Sequence, residues 1–129
     1  MIEEAVNHLR LAGVKSIFIS ITMDEKDAEK TCNKIESMLL EFGFEVFNPF
    51  KMEEAYKLFI LNPSTNKVAE NIYILAGKAD ALLLAPNWAS DKFCRLDALL
   101  AVTVGKPIVD HNLQPMVKLN PSNVKFQYD

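Results

Sequence analysis

The sequence predicts an α/β domain: a parallel sheet of about five strands in the order 2-1-3-4-5, with helices on both faces. Three observations lead there. Helical periods alternate with short β-rich runs along the chain. Two of those runs, Val14 to Ile21 and Ala81 to Ala85, are apolar or β-branched enough to be buried strands. The four glycines, Gly13, Gly43, Gly77 and Gly105, each follow a helical pattern, where a left-handed residue is wanted.

The elements follow in order. Ile2, Ala5, Val6 and Leu9 share one face of a first helix, which Gly13 ends. Val14 to Ile21 is strand one. Asp24 is placed to cap a long helix from Glu25 to about Phe42, with Ala28, Cys32, Ile35 and Leu39 on its inner face. Phe44 to Asn48 is strand two. Pro49 to Leu61 holds a short helix that Asn62-Pro63-Ser64 breaks. Ser64 or Thr65 caps another helix running to Gly77. Asp80 begins strand three, Ala81 to Ala85, and Pro86 ends it. Ser90 or Asp91 caps a helix reaching Val104. Pro107 to Asp110 is strand four, and Val124 to Tyr128 is the candidate for an edge strand.

Right-handed crossovers leave few topologies for such a chain. The small one with order 2-1-3-4-5 is a flavodoxin-like three-layer sandwich. Its ligand crevice lies beyond the C-ends of strands one and three, where the winding reverses. Those ends are Ser20-Ile21-Thr22-Met23 and Pro86-Asn87-Trp88.

Composition narrows the function. The 129 residues suit one domain, with 50% hydrophobic and 24% charged residues. The net charge of −3 and the lack of a basic stripe argue against a duplex nucleic-acid partner. No apolar run approaches the ~20 residues of a membrane helix. The acidic start, MIEEAVNHLRLAG, does not read as a signal peptide. Cys32 and Cys94 are expected to be buried, reduced and inert, which suits the cytoplasm. No His, Cys and carboxylate spacing suggests a metal.

The glycine placement leaves none for a phosphate cradle, so neither G-x-G-x-x-G nor a P-loop is present. The Thr22 to Asp27 loop carries acids where a flavin phosphate would sit. No cofactor is expected.

The most informative segment is Phe93 to Val104, apolar nearly all round except for Arg95, Asp97 and Thr103. A carboxylate there needs a partner or a cleft. Asp97 therefore either favours the positive helix end or an ion pair, or it faces the crevice. Trp88 is either a packing anchor or a wall for a flat base. Ser90 reads as an N-cap that can also meet a ligand hydroxyl. His8, His111, Asp24, Glu25 and Asp27 read as solvated groups or favourable helix-end charges.

These residues resemble the nucleoside 2-deoxyribosyltransferases, and more closely their small uncharacterised relatives. The family pattern Y-I-S-G-P-M is matched by Phe18 to Met23, and G-H-E-V-F-N-P by Gly43 to Pro49. C-D-A-I-x-x-L-P-x-W is matched by Ala79 to Trp88. The pattern W-x-x-S-x-G-x-x-x-E-x-x-x-A-x-x-x-G-x-P is followed by Trp88, Asp97, Ala101, Gly105 and Pro107, with Ser90 one step early or in register with its serine depending on the relative. The likeness covers about residues 14 to 110.

The resemblance implies a sugar-transferring or N-glycosidic bond-cleaving site without a cofactor. Asp97 stands where the family has its nucleophilic glutamate. Ser20 and Met23 match the turn that lines the pocket, and Asn87, Trp88 and Ser90 match the turn near the sugar. Asn71 is the nearest counterpart of an acidic residue that orients the substrate. Phe93, Ile21 and Thr22 replace two glycines and a proline of the family patterns. The implied partner is a small-molecule nucleoside or nucleotide, and the implied assembly is a homodimer or larger, with the tail from Asn120 to Asp129 suited to closing a neighbour's pocket. The alternatives are a non-catalytic nucleotide- or nucleoside-binding module, and a structural oligomer subunit packed through Phe93 and Trp88.

Overall fold

Alternation along the first strand decides how the layers assemble. The computed structural model describes residues 2–51, 71 and 74–116. Within them, α1 is Ile2–Leu11, β1 Ser16–Ser20, α2 Ala28–Glu41, β2 Glu45–Phe47 and β3 Ala81–Leu84. A 3-10 turn follows at Trp88–Ser90, then α3 at Lys92–Thr103 and β4 at Ile108–Asp110. Ile17 and Ile19 of β1 enter one apolar cluster with Val6 and Leu9 of α1 and Cys32 and Leu39 of α2. Phe18 enters a second cluster with Ala98 and Ala101 of α3. A strand has period two, so one residue of offset separates the two layers.

The sheet order is β2-β1-β3-β4, and every pairing is parallel. This is an α/β sheet with helices on both faces, consistent with a flavodoxin-like fold. Four strands lie among the described residues. The expected fifth, Val124 to Tyr128, falls outside them, as do most of the two helices expected between Pro49 and Gly77. β2 lies on one side of β1 and β3 on the other. The chain therefore reverses its winding between β1 and β3, and a crevice opens beyond their C-ends. None of the described helices is long and apolar enough to cross a membrane.

Two local expectations are corrected. Asp24 does not cap α2. The helix starts at Ala28, and Asp27 sits before it in a left-handed conformation, φ 63°, with no side-chain cap. The reason is packing. Ala28 is the first residue of the helical period that reaches the core, whereas residues 24–27 are exposed and carry no apolar side chain to hold a helical turn on the sheet. Gly77 does not follow its helix but lies within it, because residues 74–77 are helical and Lys78 makes the turn. The Lys78 and Ala79 amides both donate to the Ile74 carbonyl, at 2.9 and 2.7 Å, and so close that end. Gly43 keeps its expected role, with φ 90° after α2. Beside it the Arg10 guanidinium donates to the Phe42 carbonyl and lies 5.9 Å from the Phe44 ring centre, tying α1 to the end of α2.

Asp80 does more than begin a strand. Its Oδ2 accepts from the Lys15 amide at 2.9 Å and the Ser16 amide at 3.2 Å. Its own amide donates to the Ser16 carbonyl and hydroxyl. It thereby joins the starting ends of the two central strands. Asp80→Ala strands two amides at once. It is expected to destabilise the fold by about 1–3 kcal/mol, read as a lower urea midpoint with an unchanged slope. An unaltered midpoint would refute this role.

Candidate functional site

Ser20, the last residue of β1, has the parity of Phe18 and so points toward α3 rather than α2. Helix α3 buries Cys94, Asp97, Ala98 and Ala101, a stripe at helical spacing. Ala98 and Ala101 pack against the sheet with Phe18 and Leu82. Asp97 lies on that stripe one turn after Cys94, its side chain within hydrogen-bonding distance of Ser20 at the end of β1. The helix begins where it does because Asp91 caps it. Asp91 Oδ1 accepts from the Phe93 amide at 2.7 Å and from the Cys94 amide at 3.1 Å. Of the two expected caps, Asp91 takes the role; the Ser90 hydroxyl donates instead to the Asn87 carbonyl at 2.8 Å.

The Ser20 hydroxyl donates to Asp97 Oδ2 at 2.8 Å. Asn71 Nδ2 approaches Asp97 Oδ1 at 3.4 Å, a longer and weaker bond. Asp97 is only 7% exposed and Asn71 8%. The carboxylate can accept but not donate when ionised, so the Asn71 amide must turn its nitrogen toward it. That leaves Asn71 Oδ1 buried and without a hydrogen-bond partner among the described residues.

These groups form the floor of a cavity of about 470 Å³ at the C-end of β1, within the size range of small-molecule sites. Ser20, Met23, Ser90 and Asp97 all line it, joined by Asn71, Asp91, Phe93 and Cys94. Asn87 and Trp88 are not among its described lining residues. Asn87 is exposed in a left-handed conformation, φ 67°. Trp88 is half-buried and packs against the second apolar cluster. A second hollow, about 210 Å³, runs along Leu96, Leu99, Leu100 and Thr103 and shares Asn71, Phe93 and Asp97 with the first.

Sequence reasoning passed over Lys92 and Cys94 as lining residues, and read Asp24 and Asp91 only as helix caps. The signal for Cys94 was its position three residues before Asp97, on the same helix face. His8 and His111 are exposed and lie outside the cavity. Among the described residues no group of three or more His, Cys, Asp or Glu side chains could hold a metal. No protein-family model, no curated protein and no solved structure matches the chain.

Both cysteines are free and buried. Burial pushes the Cys94 thiol up to about 11, helped by the Asp91 and Asp97 carboxylates and opposed by the Ser20 and Thr22 hydroxyls. Burial likewise raises Cys32 to about 12, with Glu36 adding and Lys51 opposing. A thiol so held is a poor nucleophile at neutral pH. The consequence for stability has a definite sign. Above the ordinary value of 9.0 the unfolded thiols release protons that the folded protein retains. Stability must then fall as pH rises from about 9 toward 11. The expected loss is on the order of 1 kcal/mol per thiol by pH 10, measured as urea midpoints at successive pH values. Cys32→Ala with Cys94→Ala should flatten that decline, and an equally steep decline in the double variant would overturn the assignment.

Proposed function

We propose that the cavity takes a deoxynucleoside or deoxynucleoside monophosphate, and that the chain is a nucleoside 2-deoxyribosyltransferase-like protein acting on the N-glycosidic bond. The observation that carries this reading is the Asp97 carboxylate, buried at the floor of a cavity at the chain-reversal point and held there by Ser20 and Asn71. The motif likeness supports the ligand class. In the proposed reaction an Asp97 oxygen forms a bond to the anomeric carbon. The carbon–nitrogen bond breaks, its electron pair leaves with the base, and the base takes a proton from water. Water or a second base then displaces the carboxylate, which regains its negative charge as the sugar departs.

A second reading, a non-catalytic nucleoside- or nucleotide-binding module, is favoured by two observations. Both Asp97 oxygens already accept hydrogen bonds, which stabilise the ionised form and blunt it as a nucleophile. Phe93 lines the cavity where the family pattern has glycine. An aspartate also reaches ~1.5 Å less far than a glutamate, and a misplacement of about 1 Å can cost on the order of a hundredfold.

Incubation with each deoxynucleoside and its monophosphate, with free base followed by chromatography, decides between them. Base release is expected, and Asp97→Ala should lower it by about a thousandfold or more. No release, together with thermal stabilisation by one of these ligands, would establish the binding module instead. Neither release nor stabilisation would refute both readings.

A further inference from the structure

The polar cavity and the apolar hollow meet at one wall, made by Asn71, Phe93 and Asp97. On the cavity side the described lining is rich in hydrogen-bonding groups, among them Ser20, Thr22 and Asp24. On the hollow side it consists of Leu96, Leu99, Leu100 and Thr103. These four follow the i, i+3, i+4, i+7 spacing of one helix face. The Thr103 hydroxyl donates to the Leu99 carbonyl at 2.8 Å, so its proton is already used. Leu96 is 39% exposed, and the hollow therefore reaches the surface. Its volume is about 210 Å³, and an apolar cavity of about 150 Å³ lined by such side chains takes a benzene molecule. A second observation is independent of the first. Asn71 Oδ1 is a buried acceptor with no donor among the described residues, and Asn71 belongs to both linings. Thr22 Oγ1 is also buried without a partner, but Thr22 lines the cavity alone.

An occupant that spans both spaces has to change character at the shared wall. Over Asp97 and Ser20 it needs polar groups. Beside Asn71 it needs one donor. Along the leucines it needs an apolar surface, because a polar group placed there loses water and gains no partner. Resting on the nucleoside reading above, we propose that the hollow is a second subsite, and that the ligand is a deoxynucleoside whose base carries a secondary exocyclic amine bearing an apolar group of about ring size. The amine N–H donates to Asn71 Oδ1, and the apolar group lies along Leu96, Leu99 and Leu100. The sugar hydroxyls stay in the polar cavity, where Thr22 Oγ1 is left to meet one of them. Phe93, standing where the family pattern has glycine, supplies apolar surface at the junction of the two halves.

The test compares three deoxynucleosides by calorimetry on the whole chain: deoxyadenosine, its N6-benzyl derivative, and the 6-benzyloxypurine analogue, which keeps the ring and lacks the N–H. The N6-benzyl compound is expected to bind about tenfold or more tighter than deoxyadenosine, from the apolar area it buries. The benzyloxy compound should bind about fivefold weaker than the N6-benzyl one, the size of one lost hydrogen bond. Leu96→Gln alters an exposed position of the hollow outside the polar cavity. It should erase the benzyl advantage and leave deoxyadenosine binding unchanged. Equal binding of deoxyadenosine and its N6-benzyl derivative overturns the proposal, as does a benzyl advantage that survives in Leu96→Gln. Equal affinities of the two benzyl compounds overturn the role of Asn71. Self-association that Leu96→Gln abolishes, with no benzyl advantage in the wild type, gives the hollow to a second copy of the chain instead. If none of the three compounds binds, the nucleoside reading fails by itself, and benzyl alcohol, a ring with one donor, decides the subsite. Saturable shifts of the Leu96, Leu99 and Leu100 methyl resonances then sustain it, and their absence overturns it.

Discussion

Strand β1 has no face open to water. All five of its residues are buried, and parallel partners flank it on both sides. Its apolar residues meet this condition by packing into one cluster or the other. Its two serines, at either end, cannot. A buried hydroxyl left without a partner costs about 1–3 kcal/mol, so each serine requires another group to come to it. At the start of the strand Ser16 is met by the Lys78 carbonyl and the Asp80 amide. At its end Ser20 is met by Asp97. The first pairing locks the sheet. The second places a buried carboxylate in the lining of the crevice.

Two aspartates six residues apart, one ahead of α3 and one on it, show how position separates roles. Asp91 lies just ahead of the helix, where its charge is stabilised by free amides and by the helix dipole. Asp97 lies on the buried stripe, beyond the reach of those amides, and depends on side chains brought from elsewhere in the chain. A buried carboxylate costs free energy unless such donors are fixed in place. Ser20 is fixed by the strand, and Asn71 by the helical segment that precedes β3. The same donors that make the charge tolerable also set its direction.

What could be read in the sequence was what a period reveals. The apolar stripe of Ala28, Cys32, Ile35 and Leu39, and the facing of Ser20 and Asp97, follow from spacings of 3.6 and 2 residues. The acids at residues 24–27 misled because a capping residue is a local cue, whereas the start of α2 is set by where its side chains first meet the sheet. Trp88, read as either a packing anchor or a wall for a base, takes the packing position. Nearness in sequence to a strand end does not fix direction, and the left-handed Asn87 with the 3-10 turn carries the indole onto the apolar cluster. The contact between Asn71 and Asp97 joins residues far apart in sequence, and no local pattern encodes it.

The polar cavity and the apolar hollow beside it share the wall made by Asn71, Phe93 and Asp97. The rest of the hollow comes from α3, whereas β1 and the loop after it supply most of the rest of the cavity, including the core residues Phe18 and Ile19. Scaffold and recognition therefore overlap on the strand side and separate on the helix side. Exchanges at Ser90, Phe93 or Leu96 reshape what the crevice admits without disturbing Ile17, Ile19 or Leu83, which hold the layers together. A lineage built on this chain could change its ligand through a few surface-facing positions of one helix while its core stayed the same.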